Sequence, residues 1–295
     1  MSTENENITE NITEPSFGYI ESPYDVRDYR LAYGAVKTDD LPESFELELP
    51  YIKNQGDKPT CAAHACSELV EYYNFTQQKQ KIKFSTDFIY GIREDDYYYG
   101  DGMYLRDAMK TIQKYGDVQH VELSSNSDVD DAHKKVLARE AELKESAHPN
   151  RISTYYKITN DDEMKYALYH HGPVVIGMRW FIGGSAPASN GYVFRYDQHL
   201  LNSGHAVVVV GWTSDGKWIV QNSWGLTWGK KGHFYIEMAN GFTGDQVIRE
   251  AYGSTDNIID GKIIKKPSKF VKFLSKILNF IINVFRIAKT NTSEE

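Results

Sequence analysis

The chain has 295 residues, 41% of them hydrophobic and 25% charged, enough to bury at least one sizeable core. A net charge of −8 at neutral pH argues against general nucleic-acid binding. Only two cysteines are present, Cys61 and Cys66, five apart in one predicted helix, a spacing that excludes a disulfide framework and makes a bridge between them unexpected.

Residues 1–16 repeat ENITE and lack apolar periodicity, and read as a disordered leader without the basic and apolar regions of an export signal. A reducing compartment, cytoplasmic, at a membrane surface or, for a viral chain, the virion, is the matching expectation. PYDVRDYRLAYG and LPESFELELPYIKNQGD are punctuated by Pro and Gly and read as extended. The first helix is predicted to open at Thr60 as N-cap, with Cys61, Ala65, Leu69, Tyr72 and Tyr73 near helical spacing. Cys61 then lies in the first turn, where unpaired N–H groups and the helix dipole favour a thiolate. Cys66 lies more than a turn further in, where that effect has decayed, and reads as a buried, inert thiol. Further helices are predicted at STDFIYGIREDDYY after Ser85, at YLRDAMKTIQKYG up to Gly116, at DVDDAHKKVLAREAELKESAH, and at TNDDEMKYALYHHG, capped by Thr159 or Asn160 and ended by Gly172.

Beyond Pro173 the pattern changes to β-branched and aromatic runs: VVIGMRW, GYVFRY, HAVVVVGW, KWIVQNSW and KGHFYIEM, with a hairpin turn at Ser214-Asp215-Gly216. A helix-rich half followed by a strand-rich half predicts an α+β protein of two lobes with a cleft between them. Residues 17–260 form the expected folded domain, and 261–295 a basic tail in which only Glu294 and Glu295 oppose eight Lys and Arg side chains between Lys262 and Lys289. From Phe270 to Lys289 the residues Lys272, Ser275, Lys276, Asn279, Asn283 and Arg286 fall in a stripe roughly 100° wide at helical spacing. Such a helix suits a membrane interface or a partner protein through residues 262–289, while the charges inside it disfavour a span.

Ionising a cysteine for nucleophilic work takes a base from elsewhere in the fold. His205 opens a predicted buried strand, Asn222 follows in the next one, and Gln55 precedes Cys61 by six residues; base, orienting group and oxyanion donor are therefore all available for acyl transfer. A metal reading of Cys61, His64 and His170 or His171 fails on ligand count, and no cofactor is called for.

KNQGDKPTCAAHA resembles the segment of papain-like cysteine peptidases that carries the nucleophile. GHAVVVVGW resembles the segment with their catalytic histidine, and KWIVQNSWGLTWGKKGHFYIE the one with the orienting asparagine; the three occur in family order between Tyr24 and Ile248. The resemblance implies a papain-like two-lobed fold, with the Cys on a helical lobe and the His and Asn on an antiparallel barrel-like lobe. It implies Cys61 as nucleophile, His205 as base and acid, Asn222 as orienter, Gln55 as oxyanion donor and Trp224 as a shield over the His–Asn bond. Gly102 and Met103 would then line the bound peptide or protein substrate, and Gly177 and Ala206 would shape a roomy apolar pocket for the second residue before the cut. Two positions depart from the family: Ala62 stands where Trp usually follows the nucleophile, and Lys58 where a second Cys usually precedes it. The segment before Cys61 is also shorter than the family's helical propeptide. A peptidase is expected; a silent peptide-binding relative and a Cys–His acyltransferase are the alternatives.

Overall fold

The computed structural model describes residues 17–26, 28, 40–79, 81–94, 100–125, 128–181, 186, 188–197, 199 and 202–254, and the backbone of 258–259. All of them belong to the first of two units, 1–262 and 263–295. The leader predicted at 1–16 and the basic tail at 261–295 lie outside the described residues.

In chain order the elements are β1 (Tyr19–Ile20), β2 (Phe45–Glu46), α1 (Cys61–Gln78), α2 (Thr86–Gly91), β3 (Met103–Tyr104) and α3 (Leu105–Lys114). There follow α4 (Val129–Leu137), α5 (Glu140–Ala147), β4 (Arg151–Ile152), β5 (Tyr156–Ile158), α6 (Asp161–His170) and β6 (Val174–Phe181). The last are β7 (Asn202–Trp212), β8 (Lys217–Gln221), β9 (His233–Glu237), β10 (Ile248–Gly253) and β11 (Ile258–Ile259). A seven-stranded sheet runs β5-β10-β6-β7-β8-β9, with β2 added to β7, and every pairing in it is antiparallel.

The valine run of β7 is buried on both faces, and its alternation divides two cores. Ala206, Val208 and Val210 join Val175 of β6 in packing on α1. Val207 and Val209 join Ile176, Met178 and Trp180 inside the curled sheet, which α6 covers through Met164, Ala167 and Leu168. This is the α+β, two-lobed arrangement expected, with α1 central to one lobe and β7 to the other.

Local signals explain most boundaries. Asn160 caps α6 by accepting from the Glu163 N–H at 2.9 Å, while the Glu163 carboxylate accepts from the Thr159 N–H at 2.6 Å. Three expectations change. The charged helix is two helices, α4 and α5, broken at Ala138 and Arg139. GYVFRY is no strand: it makes a single bridge, Val193 to Tyr235, because Gly191 and Tyr192 both turn left-handed, at φ +61° and +62°. Thr60 is the N-cap of α1, yet its hydroxyl makes no capping bond.

The first three turns of α1, from Cys61 to Glu71, are buried, so its polar side chains need internal partners. Glu71 pairs with Lys53 at 2.8 Å, and Ser67 donates to Asp117 at 2.8 Å. No helix among the described residues is long and apolar enough to cross a membrane.

Candidate active site

Cys61 opens α1, and its own amide and that of Ala62 point at its sulfur, with those of Ala206 and Gly18 arriving from elsewhere in the chain. These four N–H groups favour a thiolate, but complete burial outweighs them and pushes the thiol above its ordinary value. The Ala206 amide at the sulfur makes His205 its chain neighbour on β7. Cys66 is a different case: its thiol sits in the core against Met109 at 3.6 Å, and burial and the nearby Asp117 push its pKa up. Both cysteines are free thiols.

His205 Nε2 lies 2.8 Å from Asn222 Oδ1, and the same oxygen accepts from the Ser223 N–H at 2.8 Å. An oxygen that accepts from a backbone amide is an acceptor for the ring as well, so Nε2 carries the proton and Nδ1 holds the lone pair. Nδ1 is buried without a hydrogen-bond partner. Burial lowers the imidazole pKa to about 4, although the bond to Asn222 favours the charged ring. Trp224 stacks on the imidazole at 4.8 Å and 25°, and Trp180 meets it edge-on at 5.2 Å.

Gln55 is held in one orientation. Its Oε1 accepts from Ser223 Oγ at 2.6 Å, its backbone N–H donates to the Ser223 carbonyl at 2.8 Å, and its Nε2 donates to the Lys58 carbonyl at 2.8 Å. Ser223 thus fixes both Gln55 and Asn222. It was not singled out in the sequence, although it stands between Asn222 and Trp224 in the quoted motif. His64 packs on the first turn of α1, its Nδ1 2.9 Å from the Thr60 carbonyl. Among the described residues no group of three or more His, Cys, Asp or Glu side chains is placed to hold a metal ion.

The cleft is not empty. Residues 17–22 of the same chain lie in it, with β1 pairing parallel to β3 and the Met103 N–H donating to the Gly18 carbonyl at 2.7 Å. Phe17 stands edge-on to His205 at 6.0 Å and to Trp224 at 6.1 Å. Gly18 passes so close to Pro59 that a Cβ there would lie 1.7 Å from the Pro59 carbonyl oxygen. Tyr19 lies against Gly177 and Gly204, and Ile20 against Gly102. Glu21 pairs with Arg249 at 2.9 Å. This strand is why Cys61 and His205 are both 0% exposed. It brings the Gly18 N–H to the Cys61 sulfur and so covers the thiol. Gly102, Met103 and Gly177 therefore gather around the segment that fills the cleft, and Ala206 brings its amide to the Cys61 sulfur. Gly204 gathers there as well, as suits a glycine read in the sequence as permitting close approach beside His205.

A thiol at a helix N-terminus, an imidazole turned by an asparagine, and an adjacent fixed glutamine, set between a helical lobe and a curled antiparallel sheet, make up the groups that thiol-based acyl chemistry needs. Residues 41–252 match the papain family cysteine protease domain, and the chain belongs to that family. It is 28% identical over 221 residues to a cysteine protease of Blomia tropicalis, covering 69% of this chain and 63% of that protein. It is 28% identical over 288 residues to a peptidase C1-like protein of Acanthamoeba polyphaga mimivirus, covering 83% and 89%. The chain spans less than two thirds of the Blomia protein and 54% of mouse cathepsin K, to which it is also similar. Among solved structures, xylellain, a cysteine protease from Xylella fastidiosa, superposes with a TM-score of 0.70 at 22% identity, over 86% of this chain and all of that one. Procathepsin B of Trypanosoma congolense gives 0.61 at 16% identity, over 82% and 86%. These two likenesses show the fold.

Proposed function

We propose that the chain is a cysteine peptidase that cuts within peptide or protein substrates, and that residues 17–22 must leave the cleft before it acts. The observation that carries the reading is His205: one ring nitrogen is committed to Asn222 and the other, unpartnered, holds a lone pair in the cleft that also contains Cys61. With the cleft closed, burial keeps both thiol and imidazole neutral; once water enters, the penalty on their charged forms falls.

In the acting enzyme His205 Nδ1 takes the thiol proton and the Cys61 sulfur attacks the scissile carbonyl carbon. The resulting oxyanion accepts from the Cys61 N–H and Gln55 Nε2. His205 passes its proton to the departing amine, leaving a thioester, and then draws a proton from water, whose oxygen attacks the thioester carbon. Carboxylic acid and free thiol result. Asn222 holds the ring in place throughout, and Trp224 shields the bond between them.

The test is cleavage of a peptide library by the full chain and by Cys61→Ala, with product masses recorded. Fragments that gain one water and disappear with Cys61→Ala support hydrolysis; products joined to an added amine would make the protein an acyltransferase. A second reading, a silent peptide-binding protein, is favoured by the burial of Cys61 and His205 under residues 17–22. It becomes the better account if no peptide is cut even after residues 17–22 are displaced.

A further inference from the structure

Residues 263–295 form a unit of their own, and the chemistry of the site leaves them without a task. The folded domain holds the chain up to their root: β11, at Ile258–Ile259, pairs antiparallel with β4 at Arg151 and Ile152, shortly before the basic run opens at Lys262. Eight Lys and Arg side chains are opposed there only by Glu294 and Glu295, while the chain as a whole carries −8. Positive charge is therefore concentrated on the tail, and the body is acidic.

The pattern along the tail decides what can cover it. Pro267 breaks the chain and Ser268 is an N-cap residue before an apolar run, so the sequence predicts a helix from Lys269 to Lys289. Between Phe270 and Ala288 the polar residues keep to the stripe of roughly 100°, which leaves an apolar arc of roughly 260° centred on Phe270, Leu274, Ile277, Ile281 and Phe285. A helix seated in a protein groove is held through one ridge of anchors at i, i+3, i+4 and i+7, and its flanks stay polar. Here the flanks are apolar too, with Phe273, Phe280 and Ile287 on one side and Val271, Leu278 and Ile282 on the other. A lipid surface covers so wide an arc without a matching groove. A span fits less well, because a lone helix across the bilayer would set Lys276, Asn279, Asn283 and Arg286 against hydrocarbon. In the interface the same stripe stays in water, and the long Lys and Arg stems reach the headgroups.

Charge then chooses the lipid. Lys262, Lys265, Lys266 and Lys269 lead into the helix, and Lys272, Lys276, Arg286 and Lys289 belong to it. Cations clustered beside an amphipathic helix are drawn to anionic headgroups, each worth roughly fivefold in affinity near the surface. The acidic body is repelled by that surface, which leaves the tail as the contact.

We infer that residues 263–295 hold this protein on anionic membrane surfaces, with the helix lying in the headgroup layer and its apolar arc toward the acyl chains. Binding needs no cleavage, so the inference stands apart from the peptidase reading; joined to it, it brings the enzyme to proteins at the same surface.

The experiment floats the full chain with vesicles of phosphatidylcholine alone, and of phosphatidylcholine with about one third phosphatidylserine, in about 0.1 M and about 0.5 M salt. Binding to the anionic vesicles is expected, roughly tenfold or more above phosphatidylcholine and weaker at the higher salt. Replacing Lys265, Lys266, Lys269 and Lys272 by Gln should weaken it roughly several hundredfold, and Ile277→Glu with Ile281→Glu should abolish it, with unfolding temperatures unchanged in both variants. Equal binding to the two kinds of vesicle, or binding that survives either set of substitutions, overturns the inference. No binding to either vesicle also overturns it and returns the tail to a protein partner. So does a lowered unfolding temperature in the Ile277→Glu, Ile281→Glu chain without vesicles, which would assign the arc to the protein's own core. The wild-type comparison of the two vesicles decides by itself, so a variant that fails to fold does not shelter the claim.

Discussion

Replacing Gly18 by alanine should unblock the cleft, because the added methyl has nowhere to go. Its position lies 1.7 Å from the Pro59 carbonyl oxygen, 2.2 Å from that carbonyl carbon and 2.8 Å from Pro59 Cα, all backbone atoms just before α1. Since the backbone that leads into the central helix cannot yield, residues 17–22 must. Moving them breaks the 2.7 Å bond from Met103 to Gly18, worth about 0.5–1.5 kcal/mol, and uncovers part or all of Tyr19, worth about 1.5–3 kcal/mol when fully buried. The loss of about 2–4.5 kcal/mol raises the open fraction roughly 30- to 1,600-fold at 1.4 kcal/mol per tenfold. The assay is iodoacetamide labelling followed by peptide mapping. Cys61 should label faster in Gly18→Ala by a factor in that range, while Cys66, buried against Met109, stays unlabelled as an internal control. Equal labelling of Cys61 in both proteins, with unfolding temperatures also equal, would refute the claim that this strand closes the site.

Gln55→Ala, made in the Gly18→Ala chain, is expected to lower kcat by roughly 10²–10³ with little change in KM, as for loss of an oxyanion donor; a change in KM alone would place Gln55 outside the transition state. The buried carboxyl of Glu68 has its pKa raised to about 8, burial outweighing the nearby Lys53. Folding therefore takes up a proton between the ordinary carboxylate pKa and about pH 8, and this group's contribution to stability falls as pH rises through that window. Glu68→Gln should accordingly raise the unfolding temperature most at pH 8 and least at pH 4; a difference independent of pH would show that Glu68 does not titrate there.

Much of the candidate site was legible because its chemistry is carried by short segments. The six-residue step from Gln55 to Cys61, the Gly-His start of β7, and the Asn-Ser-Trp after β8 each place one group by local geometry. Element types were legible for the same reason: Ser85 and Asn160 open helices, and alternating valines mark β7. Where neighbours decide, the reading failed. GYVFRY has strand composition, but its pairing with β9 stops at one bridge, and the long charged helix breaks at Ala138–Arg139 with no Gly or Pro to announce it.

The sequence by itself determined that Cys61, and not Cys66, opens the helix, and which histidine, asparagine and glutamine accompany it. Only the tertiary structure decided what else meets them. The contacts that close the cleft join Ser22 to Glu250 and Glu21 to Arg249, each pair 228 residues apart, and they leave no periodic trace in the chain. Glu250 reads as one charge in VIREAYG until β10 pairs with β6 across from Gly177; only then does it meet Ser22. A strand's register with a distant partner, rather than its own residues, sets which side chains share a cavity.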